Sequence, residues 1–545
     1  MNPGSKEAQS NEPAVADVCL MLEGTYPYVL GGVSAWVDQI IKGLPELKFA
    51  LFFLGSTKTD YKKQNYQLPP NVISLTEMYL HEHLSEEELA PVISPSPARQ
   101  KAFESLHEFY QAPTHEDRLH RFWSLIAALK AADNQMTFGN LMRDREIWDI
   151  LGDVYSRFSP EESFVDFFWT ARFLHLPLWQ IWKARSRFPR ARIYHSVSAG
   201  YGGFAAALAA HLHNSPFILT EHGIYTKERI AEISHADWIY EPERSHIDFN
   251  QGLGKLKQMW MGLFSFLGRV AYDTADQIIT LYEGNANTQI EFGADPINIS
   301  VIPNGVEPSK FDHIYQIHVE RWRSPPPVKA IGFIGRVVPI KDVKTLLRAA
   351  RLVCEHIPEA LFLIAGPYSE DPNYFDECQK IVKILGIEKN VDFMGMQKIM
   401  EVLPRMDLLV LTSISEGLPL VVLEGMAAGL PNVATDVGAC RELIFGRTPE
   451  DKAIGLAGKV TKILSPAETA NALVTILRDP KLVRKMGDAG RRRAQEHYSM
   501  TKMLGSYRAL YKRTGAREFS YLRIPQAQSK NTETHQPVEG ATSKP

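Results

Sequence analysis

The feature that most constrains the fold is an apolar run followed at once by a polar loop and a small-residue helix, at 408–429. Residues 408–411 are all aliphatic, which is typical of a buried parallel strand. The loop carries Glu416, and a helix is predicted to begin near Leu418 and Pro419, because proline is well tolerated in a first helical turn. This order of elements predicts one unit of a parallel α/β sheet.

Two glutamates flank the start of that helix. Glu416 lies in the loop, and Glu424 lies about a turn and a half inside the helix, on the order of 7 Å along its axis. The free N–H groups and positive dipole end of a helix N-terminus favour a diphosphate. The two carboxylates can then hold hydroxyls at both ends of one ligand, which is the layout of a sugar nucleotide. The alternative is an ordinary loop charge and a solvated helix residue, which the small apolar neighbours of Glu424 disfavour.

Length and composition indicate an ordinary globular protein. The 545 residues suffice for two or three domains, and 45% are hydrophobic and 23% charged. A net charge of −3 disfavours a nucleic-acid binder. The four cysteines form no C-x-x-C pair or metal-ligand cluster, so we expect reduced thiols in a cytosolic protein. We expect neither a secretory leader in the polar residues 1–15 nor a membrane span, because no apolar run approaches 18 residues.

The first half begins as a parallel sheet and then turns helical. Strands are predicted at 18–22 and 49–54, and Gly31-Gly32 precedes the helix between them. Glycine allows backbone N–H groups to approach a phosphate closely, although a plain tight turn explains the pair equally well. From about 75 to 189 helical periodicity dominates and aromatic residues are frequent, so we predict a helical insertion whose aromatics are mostly core.

Polar residues follow the strands that resume after the insertion. Strands are predicted at 193–197 and 216–220, and the second leads directly into Glu221 and His222. Because open α/β sheets bind ligands at the carboxyl ends of their strands, His222 is a candidate site residue. A buried structural histidine is the alternative. The segment 225–249 is polar and charged, and we predict a mobile loop beside the cleft there.

A second α/β sheet is predicted after a proline-rich boundary. Residues 308–327 are polar and end in three prolines, which is typical of an interdomain linker. A new apolar strand at 330–335 is followed by Arg336, with Lys341 five residues further on. The planar fork of arginine and the point charge of lysine suit a diphosphate. The two cations are therefore predicted to converge above the sheet, the alternative being two exposed surface charges.

These motifs stand in the order found in retaining family 4 glycosyltransferases, and Glu416 and Glu424 resemble the E-x7-E element of that family. The other matching stretches are Gly31-Gly32, Thr220-Glu221-His222-Gly223, Ile302-Pro303-Asn304-Gly305-Val306 and Gly335-Arg336 with Lys341. The resemblance implies an α/β fold of two facing Rossmann-like domains, known as GT-B. Residues 22–28 and the helical insertion resemble a branch of the family that acts in exopolysaccharide synthesis. The insertion is also the main departure from the family and leaves the acceptor side open.

The resemblance implies a role for each matching position. Arg336 and Lys341 would bind the donor diphosphate, Glu424 the ribose hydroxyls and Glu416 the sugar hydroxyls, with His222 near the reacting carbon. The other donor-binding positions are Gly31 and Gly32 at the phosphates, Gly395 beside the base, and Gly417, Leu418, Pro419 and Leu420 along the sugar. The catalytic set is thus His222, Glu416, Arg336 and Lys341. Neither a cofactor besides the donor nor a metal is expected, and the chain contains no Asp-x-Asp pair.

The predicted organisation follows from these boundaries. It comprises a disordered tail at 1–15, an acceptor-side domain at 16–307 with its insertion at about 75–189, a linker at 308–327, a donor-nucleotide domain at 328–490, a helix returning to the first domain at 491–523, and a second disordered tail at 524–545.

The predicted function is transfer of a hexose, with retention of configuration, from a UDP-sugar to an oligosaccharide or polysaccharide acceptor. UDP-glucose is the favoured donor, and the product is a growing extracellular polysaccharide. We expect a cytoplasmic protein that a membrane-protein synthase complex recruits to the inner membrane, with no nucleic-acid partner. Two alternatives stay open: a UDP-sugar epimerase of the same fold, which needs no acceptor, and a nucleotide-binding scaffold without turnover.

Overall fold

The structure is a computed structural model that describes residues 15–239, 253–324 and 328–516. These residues fall into two compact units. The smaller unit is 84–158, and the larger unit contains all other described residues. Both predicted tails, apart from Val15, lie outside the described residues, as do the prolines at 325–327 and part of the predicted loop at 225–249.

Seven parallel strands form the N-terminal sheet of the larger unit. They are β1 Ala16–Glu23, β2 Phe49–Gly55, β3 Val72–Tyr79, β4 Ala191–Ser196, β5 Phe217–Glu221, β6 Gln277–Thr280 and β7 Ile299–Val301. Their order is β3-β2-β1-β4-β5-β6-β7, and each neighbouring pair is parallel. The direction of the order changes between β1 and β4, and such a switch point is where open α/β sheets bind ligands.

Six parallel strands form the C-terminal sheet of the same unit. They are β8 Ala330–Ile334, β9 Leu361–Ala365, β10 Val391–Gly395, β11 Leu408–Leu411, β12 Asn432–Thr435 and β13 Gly458–Thr461. Their order is β10-β9-β8-β11-β12-β13, so the switch point lies between β8 and β11. The predicted site residues Arg336 and Lys341 follow one of these two strands, and Glu416 follows the other.

Helices connect the strands, and their positions complete the fold. In chain order they are α1 Gly32–Gly43, α2 Glu86–Leu89, α3 Pro97–Tyr110, α4 His115–Ala131, α5 Phe138–Arg143, α6 Arg145–Phe158, α7 Phe164–Ala184, α8 Tyr201–His213, α9 Tyr225–Ser234, α10 Lys255–Thr274, α11 Glu283–Glu291, α12 Asp312–Arg323, α13 Val343–His356, α14 Pro372–Leu385, α15 Ile399–Val402, α16 Leu420–Ala427, α17 Cys440–Phe445, α18 Pro449–Ala453, α19 Pro466–Leu477, α20 Pro480–His497 and α21 Met500–Gly515. The smaller unit consists of α2–α6. No helix among the described residues has the length and apolar character needed to cross a membrane.

The last helix, α21, packs against the N-terminal sheet. Tyr507 and Tyr511 belong to the N-terminal hydrophobic core, and the Tyr511 hydroxyl lies 2.7 Å from Nδ1 of His195 on β4. The backbone of Val306 pairs with that of Tyr498 and Met500, which fixes the point where the chain crosses back.

Two predicted boundaries of the first half are wrong in detail. The helical insertion does not begin near 75, because residues up to Tyr79 form the edge strand β3. Ser, Thr and Glu interrupt the apolar residues of β3, so the continuous apolar run that predicts a buried strand is missing there. The predicted mobile loop at 225–249 begins with a helix instead, since α9 spans Tyr225–Ser234 and buries Thr226 and Ile233.

Two predicted boundaries of the second half also differ from the structure. Most of the predicted linker at 308–327 is α12, whose buried His318 contacts the carbonyl oxygens of Ala428 and Leu403. The predicted domain end at 490 falls inside α20, which continues to His497 because buried Arg493 binds Asp451 and nearby carbonyls. The predicted fold class itself is confirmed: the larger unit holds two Rossmann-like domains with parallel sheets.

Candidate active site

The loops after β8 and β11 are joined by hydrogen bonds at the switch point of the C-terminal sheet. The Thr412 hydroxyl donates to the carbonyl oxygen of Lys341 at 3.0 Å, and the Ile414 amide donates to the carbonyl oxygen of Ile340 at 2.9 Å. Neighbouring strands bring the two loops to one edge of the sheet. The backbone of the predicted diphosphate-binding loop is thereby held against the loop that carries Glu416.

Lys341 and Glu416 form an ion pair at this edge. The Lys341 Nζ lies 2.5 Å from Glu416 Oε1, and the Ser413 hydroxyl donates to the same oxygen at 2.6 Å. The two charged side chains are only 19% and 12% exposed, so the charge-assisted bond is weakly screened. Within the described residues Glu416 Oε2 makes no hydrogen bond, and Lys341 Nζ donates only to Glu416. Lys341 Nζ can therefore still donate hydrogen bonds to a ligand, and Glu416 Oε2 can still accept one.

Arg336 follows β8 but binds a different carboxylate. Its Nη1 lies 2.8 Å from Oε2 of Glu370, which stands in the loop after β9, and both side chains are about half exposed. Within the described chain Arg336 forms no ion pair with Glu416. The structure thus places both predicted cations at the same sheet edge, but each is bound to its own acidic partner.

Glu424 lies in the fifth position of α16, roughly 6 Å from the start of the helix. Its carboxylate makes no hydrogen bond or ion pair within the part of the chain that the structure describes. Burial raises its pKa to about 7. A partly buried carboxylate without a partner in the described chain is costly, so Glu424 is a candidate to accept hydrogen bonds from a ligand. The N-cap residue Pro419 offers no side-chain cap, so the first N–H groups of α16 are also available.

His222 of the N-terminal domain meets the Glu416 loop through its backbone. A Cβ atom at Gly417 would lie 2.3 Å from the His222 carbonyl oxygen, so only glycine fits there. The ring centroids of His222 and Trp36 are 4.9 Å apart in an edge contact. Both ring nitrogens of His222 are buried and make no hydrogen bond to any described residue. Burial lowers the pKa of His222 to about 4, so the imidazole is neutral at pH 7.

The remaining predicted positions contribute backbone to the same region. Leu418 is 7% exposed and packs in the C-terminal core, so only its main chain can face a ligand, while Pro419 and Leu420 begin α16. Gly395 ends β10 with a φ of +65°, and its carbonyl oxygen accepts from the Gly366 amide at 2.8 Å. A positive φ favours glycine and turns this carbonyl toward the neighbouring strand end.

Gly31 and Gly32 at the start of α1 are exposed, and a Cβ atom at either would meet no protein atom within 4 Å. Packing therefore does not require glycine at these positions, and the predicted approach of a phosphate to them stays a prediction.

We expect the substitution Gly32→Ala to leave the melting temperature unchanged and to lower kcat/KM for transfer by about tenfold or more, because the added methyl group displaces the ligand. Melting curves and initial rates measure the two effects. The control is Gly505→Ala in α21, which also meets no atom within 4 Å and lies outside the predicted site. Unchanged kcat/KM in Gly32→Ala would remove this loop from the site.

Two residues of this region were not predicted from the sequence. Ser413 precedes Glu416 by three residues, a local spacing that offered a usable signal. Glu370 had no such signal, because its contact with Arg336 depends on which strands are neighbours. No group of three or more His, Cys, Asp or Glu side chains among the described residues is arranged to hold a metal ion.

Two known protein families match different parts of the chain. Residues 16–297, about half of the chain, match the family described as a domain of unknown function, DUF3492, and residues 316–493 match the glycosyl transferases group 1 family. The two Rossmann-like domains have the GT-B fold, and the C-terminal one matches the glycosyl transferases group 1 family. With its N-terminal half included, the chain belongs to the DUF3492 family.

Sequence relatives are similar over part of their length. The chain is 26% identical over 309 residues to the MMP alpha-(1->4)-mannosyltransferase of Mycolicibacterium hassiacum, covering 55% of this chain and 66% of that protein. It is 34% identical over 196 residues to the putative glycosyltransferase EpsD of Bacillus subtilis, covering 35% and 48%. The chain thus spans about half to two thirds of the length of these relatives.

Solved structures share the fold across nearly the whole chain. Anabaena HepE in complex with UDP superposes with a TM-score of 0.55 and 14% identity, covering 91% of this chain and 100% of that one. Sucrose-phosphate synthase from Thermosynechococcus elongatus superposes with a TM-score of 0.54 and 16% identity, covering 91% and 98%. These similarities establish the GT-B architecture.

Proposed function

We propose that this protein transfers a hexose from a UDP-sugar to a growing extracellular polysaccharide, with retention of configuration. The observation that carries the proposal is the arrangement around α16. Lys341 and Glu416 are paired before the helix, and Glu424 lies inside it as a partly buried carboxylate without a partner in the described chain. A nucleoside diphosphate sugar supplies phosphates for the cation and hydroxyls for both carboxylates. HepE, whose structures contain UDP and UDP-glucose, supports UDP-glucose as the first donor to test.

The reaction breaks the bond between the anomeric carbon and the β-phosphate oxygen of UDP. The acceptor hydroxyl oxygen bonds to the anomeric carbon from the same face, and its proton passes to the departing phosphate oxygen, so the products are the glycoside and UDP. Positive charge develops on the sugar ring and negative charge on the phosphate. Lys341, Arg336 and the N–H groups of α16 stabilise the phosphate, and neutral His222 adds no competing positive charge beside the sugar.

The Lys341–Glu416 pair need not break when the donor binds. An ammonium group has three N–H donors and the pair uses one, so two are free for phosphate oxygens. Glu416 Oε2 makes no hydrogen bond to a described residue either, so it can accept one from a sugar hydroxyl. We propose that the enzyme needs no metal or cofactor beyond the donor.

The biological setting is proposed from the chain's resemblance to PelF, the glycosyltransferase of Pel exopolysaccharide synthesis. That resemblance rests on residues 22–28 and on the helical insertion. Residues 84–158 of the insertion form the smaller of the two compact units. The proposed place of action is the cytoplasmic side of the membrane, beside a membrane-protein synthase complex that accepts the product.

We expect UDP-glucose to raise the melting temperature more than GDP-glucose or ADP-glucose in a thermal-shift panel. A ligand at 100 times its Kd stabilises the folded protein by about 2.7 kcal/mol. In the same preparation, UDP release should depend on an added oligosaccharide, and proton NMR of the product should show the donor's anomeric configuration. Isomerised donor without acceptor would indicate an epimerase. Binding of UDP-glucose with no turnover of any acceptor would indicate a scaffold.

A further inference from the structure

Helix α11 (Glu283–Glu291) links the two sheet domains of the larger unit beside the candidate site. It has no capping side chain of its own, since its N-cap residue is Tyr282. Instead, Glu442 Oε1 accepts a hydrogen bond of 3.0 Å from the Glu283 amide. Glu442 lies in α17 of the C-terminal domain, so one domain caps a helix of the other. A carboxylate at this position satisfies an otherwise free N–H group and interacts favourably with the helix dipole.

Near its other end, α11 contacts the last residue of β5, Glu221, which directly precedes His222. Gln289 is fully buried, and its Nε2 donates to Glu221 Oε2 at 2.8 Å. The Tyr272 hydroxyl donates to the same oxygen at 2.7 Å, and the Tyr225 amide donates to Glu221 Oε1 at 3.2 Å. Because the Glu221 side chain binds the amide four residues later, it closes the loop that contains His222. Gln289 therefore fixes the base of that loop.

In the C-terminal domain, the residues that precede α17 contact the loop that carries Glu416. The Ala439 amide donates to the Gly417 carbonyl oxygen at 2.8 Å. Gly438 has a φ of +53°, and a Cβ atom there would lie 2.4 Å from the Glu416 carbonyl oxygen. Gly417 in turn lies against the His222 backbone. A continuous ring of contacts thus runs from Gly417 through α17, α11 and the His222 loop back to Gly417.

We propose that α11 sets the His222 loop against the Glu416 loop, and that Glu442 and Gln289 are positioning residues for sugar transfer. The inference rests on the proposed function, because it assumes that both loops face the reacting sugar. The ring closes only when the two domains are in contact, so loss of the Glu442 cap loosens the base of the His222 loop without touching the diphosphate site. Small misplacements of reacting groups are costly, whereas the proposed nucleotide contacts of Lys341, Arg336 and Glu424 lie outside this ring and should be retained.

Steady-state kinetics with a matched set of variants tests this. In Glu442→Ala we expect kcat to fall by about 10- to 100-fold, with the Kd for UDP by calorimetry staying within about threefold of wild type. Glu442→Gln retains an acceptor oxygen and should recover most of kcat. Gln289→Met should resemble Glu442→Ala, and the double variant should be no worse than the poorer single one, because both break the same ring. The control is Glu291→Ala, which changes an exposed residue of the same helix.

Hydrogen exchange gives a readout that does not depend on activity. We expect the Tyr225 amide to exchange about tenfold faster in Glu442→Ala than in wild type, and at the wild-type rate in Glu291→Ala. Unchanged exchange at Tyr225 in Glu442→Ala overturns the inference, as do strictly additive effects of Glu442→Ala and Gln289→Met on kcat. Faster exchange at Tyr225 in Glu442→Ala, together with no UDP-sugar turnover by the wild-type protein, would overturn the proposed function and leave the link between the domains intact.

Discussion

Replacing Lys341 by methionine is expected to lower kcat by about 10²- to 10³-fold, because the departing phosphate loses a preorganised charge. Methionine keeps much of the side-chain volume, and Glu416 retains its hydrogen bond from Ser413. The fold should therefore survive, which a melting curve checks. Initial rates with saturating UDP-glucose and acceptor measure the effect on kcat.

The matched control is Lys344→Met, one turn further along the same segment. Lys344 binds Glu377, and its Nζ lies 4.6 Å from the ring centroid of Tyr374. It makes no ion pair with Glu416 among the described residues, so its loss should leave kcat close to wild type. Turnover by a folded Lys341→Met variant within tenfold of wild type would show that this cation does not serve the leaving group.

Replacing Glu424 by glutamine is expected to stabilise the free protein and weaken donor binding at the same time. Burial raises the pKa of Glu424 from 4.5 to about 7, so the folded state holds its proton more tightly than the unfolded state. Stability of the wild type therefore decreases as the pH rises from about 4.5 to 7. Above pH 7 the ionised carboxylate costs the folded state up to about 3 kcal/mol, which the neutral amide avoids.

Denaturant titrations at several pH values measure the first effect. The advantage of Glu424→Gln should be largest at pH 8, shrink as the pH falls through 7 and vanish near 4.5. Calorimetry with UDP measures the second effect, a loss of about 10- to 100-fold in affinity, since hydrogen bonds to a carboxylate are stronger than those to an amide. The control is Glu388→Gln, an exposed residue of the same domain. A Glu424→Gln variant that is less stable than wild type at pH 8 would contradict the assignment of an unpaired, ligand-binding carboxylate.

The architecture could be predicted because buried parallel strands leave a strong local signal. Runs such as those of β8 and β11 are entirely apolar and are followed by polar loops. The edge strand β3, in which Ser, Thr and Glu interrupt the apolar residues, and the charged helix α12 have no such signal. Helix α12 in particular resembles a linker in composition, and it owes its place to the buried His318, which contacts two carbonyl oxygens.

The sequence could indicate the single residues of the candidate site, but it could not indicate which of them are in contact. Spacing along the chain indicated Lys341 and Glu416, whereas their contact depends on β8 and β11 being neighbours. The same limit explains why Glu370 and Glu442 were missed. Each binds a group from a distant part of the chain, and no local sequence pattern predicts such a contact.

The position of α21 has a consequence for biosynthesis. The tyrosines that complete the core around β1 and β4 come from the last described helix, about 300 residues after β4. During translation the hydrophobic core around β1 and β4 therefore stays incomplete until α21 has been synthesised, so the order of synthesis is not the order of assembly.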